Sequence, residues 1–269
     1  MKKLFWSIAA IILLLTSITG CQRNAITGRK QLSLVPESEA QSLAATQYKS
    51  FIQTNKLVTG TAEALMVKRV GENIVKAIKA YYEQKGLSQE LAGYSWEINL
   101  VNDKQMNAWC MPGGRIVVYT GILPVTKNEA GLAVVMGHEI AHALARHGSE
   151  RMSQGLLQQG LGAGLSIALS SKPQLTQEIF NTSYGIASGT IMPAFSRSNE
   201  LEADRFGLMF SALAGYDPRE AIAFWNRMSS ATGGGSTPSL LSTHPSDAER
   251  IAALEKIMAS TLQNYYKKS

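Results

Sequence analysis

Apolar positions recur at helical spacing along most of this chain and switch, in one short stretch, to the two-residue spacing of a strand. From Pro36 onward, Ala40, Leu43, Ala44, Tyr48 and Phe51 mark one amphipathic helix, and Leu65, Met66, Ile74, Ala77, Ile78 and Tyr81 mark a second. Neither carries a chemical motif. Around Tyr94 the period changes, because Tyr94, Trp96, Ile98 and Leu100 alternate with Ser95, Glu97 and Asn99, which reads as a strand. Asn107 to Met111, a turn at Pro112-Gly113-Gly114 and the β-rich run Arg115 to Tyr119 then predict a hairpin or bent strand pair.

Leu132 to Gly137 is almost wholly apolar, so the helix that contains it should be buried. Thr126 and Glu129 have capping-box spacing before it, and Arg146, His147 and Gly148 read as its end. Further on, Ser153 to Ser170 is rich in glycine and leucine but too broken for a membrane span. Residues 155–193 are expected to be helices joined by mobile turns, either simply packed or forming a lid over a cleft. A helix through Glu200 should end near Gly215, the next should start around Asp217, Pro218 and Glu220, and Ser229 to Thr243 should be a flexible loop around GGGSTP. The pattern implies a helix-rich α+β fold with a small β-sheet.

The chemistry concentrates in that helix, which continues into HEIAH, His138 to His142. Residues four apart lie on one helical face, so His138 and His142 can offer two imidazoles to one metal ion, zinc by the motif. Glu139 lies about 100° round the helix, placed as general base rather than ligand. A catalytic zinc takes three protein ligands, and one helix supplies two. His147 is rotated away from the ligand face, and Gly148 stands where a metzincin would have a third histidine. In NELEADRFG, Glu200 and Asp204 share a face, so Glu200 can bind zinc and Asp204 can accept the second N–H of a ligand histidine. Glu202 points elsewhere.

HEIAH followed by ELEAD, with NAWCMPGGRIVVYTG before and STHPSDAER after, resembles the gluzincin metalloendopeptidases of peptidase family M48, the HtpX, BepA and CAAX prenyl protease group. The resemblance covers roughly residues 36 to 260 and is specific, because four motifs occur in the family's order. It implies a zincin-like fold, with the small sheet beside the buried helix, and one Zn²⁺ held by His138, His142 and Glu200, with Glu139 as base and Asp204 behind the ligands. It also implies that His244, before Pro245, lies near the zinc, either as a fourth ligand that keeps the enzyme latent or as a donor to the oxyanion. Arg250 matches a position that could stabilise the oxyanion, and the strand region lies at the active-site edge, where an extended peptide could pair.

At the N-terminus, Lys2 and Lys3, the apolar run Leu4 to Leu15 and ITGC, Ile18 to Cys21, form a secretory signal whose apolar run is shorter than a span needs. The small residue before Cys21 fits a bacterial lipobox, and Gln22 after it suggests an outer-membrane address. The expected layout is a signal peptide at 1–20, a lipidated tether at 21–35 and one zinc metallopeptidase domain at 36–269, in a bacterial lipoprotein form without a C-terminal repeat domain. With Cys21 lipidated, Cys110 is the sole remaining thiol, which excludes a disulfide within the chain; it reads as a buried inert cysteine beside the substrate strand, or as a reactive one. The formal charge of +6 comes without a clustered basic and aromatic stripe, so no nucleic-acid partner is expected. The sequence thus points to a periplasm-facing, lipid-anchored zinc endopeptidase acting on protein or peptide substrates, such as misfolded envelope proteins in quality control. Its rival is a zinc-containing, chaperone-like binding lipoprotein.

Overall fold

Residues 20–158, 173–184, 194–231, 239–244 and 248–267 are described by the computed structural model, and the statements below concern them. The leader at 1–19, much of the lid region and the GGGSTP loop lie outside the described residues.

The first described element is a hairpin of β1 (Cys21–Arg23) and β2 (Lys30–Leu32), paired Cys21 to Leu32 and Arg23 to Lys30. Asn24 shapes its turn, with Oδ1 accepting the N–H groups of Ile26 and Thr27 at 3.1 Å each. Residues 21–35, expected as a tether, thus contain this hairpin. Asn24 and Gln31 are buried, Leu34 and Val35 enter the core, and Asn24 Nδ2 donates to the carbonyl of Leu144 at 3.0 Å.

Helix α1 (Glu37–Thr54) buries Ala40, Ala44, Tyr48 and Phe51, as its periodicity requires. Helix α2 (Ala62–Gln84) turns a different stripe inward: Val67, Val70, Ile74, Ile78 and Tyr82 are buried, while Leu65 is 56% exposed. The Val67–Val70–Ile74–Ile78 series, at steps of three and four, wins that face.

Four strands, β3 (Leu57–Val58), β4 (Glu97–Val101), β5 (Ala108–Met111) and β6 (Arg115–Tyr119), form a sheet in the order β3-β4-β6-β5. β4 and β6 are parallel, and the other pairs antiparallel. The strand foreseen at Tyr94 begins at Glu97, because Tyr94 and Trp96 instead pack ring on ring at 5.0 Å and Trp96 covers Gly114. Gly113 and Gly114 make the β5–β6 turn with φ of 82° and 85°. Alternation along β5 and β6 divides the core. Ala108, Cys110, Ile116 and Val118 join one apolar cluster, and Trp109, Met111, Val117 and Tyr119 join another on the opposite face.

The longer helices that follow are α3 (Glu129–Leu144), α4 (His147–Gln158), α5 (Pro173–Tyr184), α6 (Arg197–Leu213), α7 (Glu220–Ser230) and α8 (Ala248–Tyr265). α3 is the buried axis of the fold, with every residue from Gly131 to Leu144 inside. Its cap is Asn128, whose Oδ1 accepts the Gly131 N–H at 2.8 Å, and not Thr126, whose hydroxyl closes the preceding turn on Leu123. No described helix is long and apolar enough to cross a membrane.

Two glycines let α3 and α6 meet backbone to backbone. A Cβ on Gly207 would lie 2.7 Å from His138 N and 2.8 Å from His138 Cα, and one on Gly137 would lie 2.7 Å from Gly207 O. Gly207→Ala is therefore expected to cost about 1–3 kcal/mol in urea unfolding, the range for overpacking a tight interior. It should also weaken metal retention, since Glu200 and Asp204 ride on the displaced helix. An unchanged unfolding midpoint would show that the helices separate freely.

Candidate metal centre

α3 places His138 and His142 one turn apart with their Nε2 atoms 3.0 Å from each other. α6 brings Glu200 against both, with Oε2 3.4 Å from His138 Nε2 and Oε1 3.4 Å from His142 Nε2. His244 follows the helical turn Ser239–Thr243, and its Nδ1 stands 3.3 Å from His138 Nε2 and 2.9 Å from Glu200 Oε1. These four buried residues each offer a donor atom, all within 4.8 Å of one another.

The donor set fits a zinc ion. Ligands at 2.0–2.1 Å in a tetrahedron stand about 3.3 Å from each other, and the five donor–donor distances above run from 2.9 to 3.4 Å. The charges agree in sign. Glu139, Glu200 and Asp204 are three buried carboxylates around the donors, with the buried Arg250 guanidinium on Asp204 and Glu200, a field that favours a cation at the centre. Burial pushes the His138 imidazole down, yet Asp204 and Glu200 overcome it and hold the group up at about 9, as expected where carboxylates crowd a ring. Burial pushes the Glu200 carboxyl up, but His244, His138 and His142 hold it well below the usual carboxylate range.

Glu139 stands at the rim of this cluster, with Oε1 3.5 Å from His244 Nε2. That oxygen is buried without a hydrogen-bond partner, and burial raises the carboxyl's affinity for a proton. Asp204 Oδ1 lies 3.0 Å from His138 Nδ1, though off the line of a good hydrogen bond. Arg250 clamps Asp204 through Nε at 2.7 Å and Nη2 at 2.6 Å, reaches Glu200 Oε2 at 2.9 Å and lies 4.1 Å over the Trp225 ring. The Arg250 guanidinium, a candidate oxyanion stabiliser by resemblance, is turned onto the carboxylates of Asp204 and of the donor Glu200.

Two residues in contact with the centre, His147 and Phe195, were not legible as such in the sequence. α3 ends at Leu144, and Arg146 takes φ 56°, so α4 restarts in a new direction and returns His147 to His142, Nδ1 to Nδ1 at 2.9 Å. His147 Nε2 in turn meets Glu202 Oε2 at 2.8 Å. Phe195 lays its ring 4.1 Å from that of His142 and donates its N–H to Thr243 O at 3.1 Å. Cys110 is buried, with its thiol pushed well up by burial, which fits the inert reading. Cys21 is exposed at the start of β1.

The sequence profile of Peptidase family M48 matches residues 63–258. Among similar proteins, "Mitochondrial metalloendopeptidase OMA1" of Saccharomyces cerevisiae is 33% identical over 82% of this chain and 67% of its own length. "Metalloendopeptidase OMA1, mitochondrial" of Homo sapiens is 29% identical over 97% of this chain and 51% of its own. "Beta-barrel assembly-enhancing protease" of Escherichia coli is 31% identical over 57% and 32% respectively. The chain thus spans about half the length of several curated relatives it matches. These relatives overturn the outer-membrane lipoprotein address, since those sharing most of this chain are named mitochondrial and the bacterial match is the shorter one. A profile that spans most of the chain, including HEIAH and ELEAD, establishes that the chain belongs to peptidase family M48.

Proposed function

We propose that this chain is a zinc endopeptidase that hydrolyses peptide bonds within protein substrates. The observation that carries this reading is Glu139, a buried carboxyl with an unpartnered oxygen beside three converging donors, His138, His142 and Glu200. A zinc ion held by those three donors would supply Lewis acidity to the scissile carbonyl and to the attacking water. Glu139 takes the proton of that water and returns it to the leaving amine; its raised proton affinity suits both duties. Asp204 and Arg250 hold the His138 ring in place. The substrate lies extended along β5, the terminal strand of the sheet, where main-chain pairing reads few side chains. Such recognition suits unfolded segments and a place in protein quality control, a role in keeping with the E. coli relative's name, which refers to β-barrel assembly.

His244 lies within reach of the other three donors, and on this reading it takes the fourth position and keeps the centre latent. Withdrawal of His244 opens that position to water and substrate. A closed four-donor site is also what a zinc-holding, chaperone-like protein without proteolysis would have, so His244→Ala decides between them. Incubated with a reduced, unfolded model protein, His244→Ala is expected to cleave about tenfold or more faster than wild type, an opening worth roughly 1.4 kcal/mol in a gating equilibrium. Cleavage by both should vanish with a chelator and return with zinc. Stoichiometric zinc with no cleavage by either protein would favour the binding reading.

A further inference from the structure

We propose that Arg29, in the N-terminal hairpin, is a positioning residue that sets how tightly the centre holds its metal ion, acting through Glu202, His147 and His142. The inference rests on the zinc reading above. With His142 Nε2 turned to the donor cluster, its neutral ring carries the hydrogen on Nδ1, which faces His147 Nδ1 at 2.9 Å. His147 Nδ1 then accepts, and its Nε2–H donates to Glu202 Oε2 at 2.8 Å. The same oxygen accepts Arg29 Nε–H at 3.0 Å. Every contact in the series is satisfied by this single direction of donors. The remaining Arg29 N–H groups fork onto Glu150 at 2.8 and 2.7 Å, and Glu150 Oε2 also accepts from Asn199 Nδ2 at 3.2 Å. Asn199 directly precedes Glu200, so the outer end of the series is pinned to the helix that supplies the third donor.

The two ligand histidines are thus treated alike. His138 faces a carboxylate clamped by Arg250, and His142 faces, through His147, a carboxylate clamped by Arg29. An outer partner of this kind fixes ring orientation and tautomer and raises ligand basicity. Burial makes the series effective: the His147 side chain is fully enclosed, Glu202 is 13% exposed and Arg29 30%. Arg29 lies outside residues 63–258, so the family match assigns it nothing.

The test measures zinc affinity of the full chain by competition with a chromophoric chelator, alongside the thermal midpoint of the zinc-free protein. Arg29→Gln and Glu202→Gln should each weaken zinc binding about 10–100-fold, the usual effect of losing an outer partner. The double variant should be no weaker than the poorer single, and Arg29→Lys should recover part of the loss. The cobalt-substituted protein should show a shifted visible spectrum in Glu202→Gln, which removes a charge while keeping the side chain's size. Affinities within twofold of wild type, with a lower zinc-free midpoint, would reduce Arg29 to a structural strut and overturn the proposal. Losses that multiply in the double variant would overturn it as well. A wild-type chain that binds zinc but cleaves nothing would sink the peptidase reading alone, whereas one that binds no zinc would sink both.

Discussion

Glu139→Gln is expected to lower hydrolysis of an unfolded protein about 10²–10⁴-fold while one zinc ion per chain is retained. Glutamine keeps the shape and hydrogen-bonding reach of the side chain but can neither take a proton from water nor hold one for the leaving amine. The centre should tolerate the change well, because Glu139 is 4% exposed and not one of the clustered donors, and its Oε1 has no hydrogen bond to lose. Removal of that buried charge even relieves a desolvation penalty, so the variant should unfold no earlier than wild type. Steady-state cleavage, metal content and an unfolding curve on the same preparation separate the possibilities. Full activity with zinc bound would remove Glu139 from the proton transfers, and loss of zinc would make it part of the donor set.

Arg250→Met carries the second large effect, a loss of about 3–5 kcal/mol of stability, as when one partner of a buried ion pair is deleted. Arg250 is 1% exposed and faces both Asp204 and Glu200, so methionine would leave two buried carboxylates without their guanidinium. The flat contact with Trp225 would go too. Adding Asp204→Asn to Arg250→Met should recover part of the loss, since one unpaired charge is then removed. Urea unfolding of the zinc-free proteins reads this directly. A change under about 1 kcal/mol would mean that the pair behaves like an exposed one.

Much of this architecture was legible because burial leaves a periodic trace. The apolar run into HEIAH foretold the buried α3, and the spacing of Glu200 and Asp204 foretold one face of α6. His147 is not among the clustered donors, yet the left-handed turn at Arg146 returns its ring to His142, a contact that helical spacing does not encode. Glu202 does point away from the donors, but into the Arg29 fork rather than into water. The partner that makes this so lies 173 positions earlier, a separation that no local period encodes. The hairpin leaves little trace in the sequence because its strands are three residues long and its anchors, Asn24 and Arg29, meet partners 120 and 121 positions away. The leader misled differently: a lysine-flanked apolar run states that a chain engages a membrane system, not which one.

X-ray absorption at the zinc edge of the purified full chain tests the central claim most directly. The account predicts one zinc ion per chain in a shell of nitrogen and oxygen at about 2.0–2.1 Å, with imidazole outer scattering and no sulfur. That shell should lose one imidazole in His244→Ala and disintegrate in Glu200→Ala. A sulfur neighbour at about 2.3 Å, or no stoichiometric zinc, would contradict it.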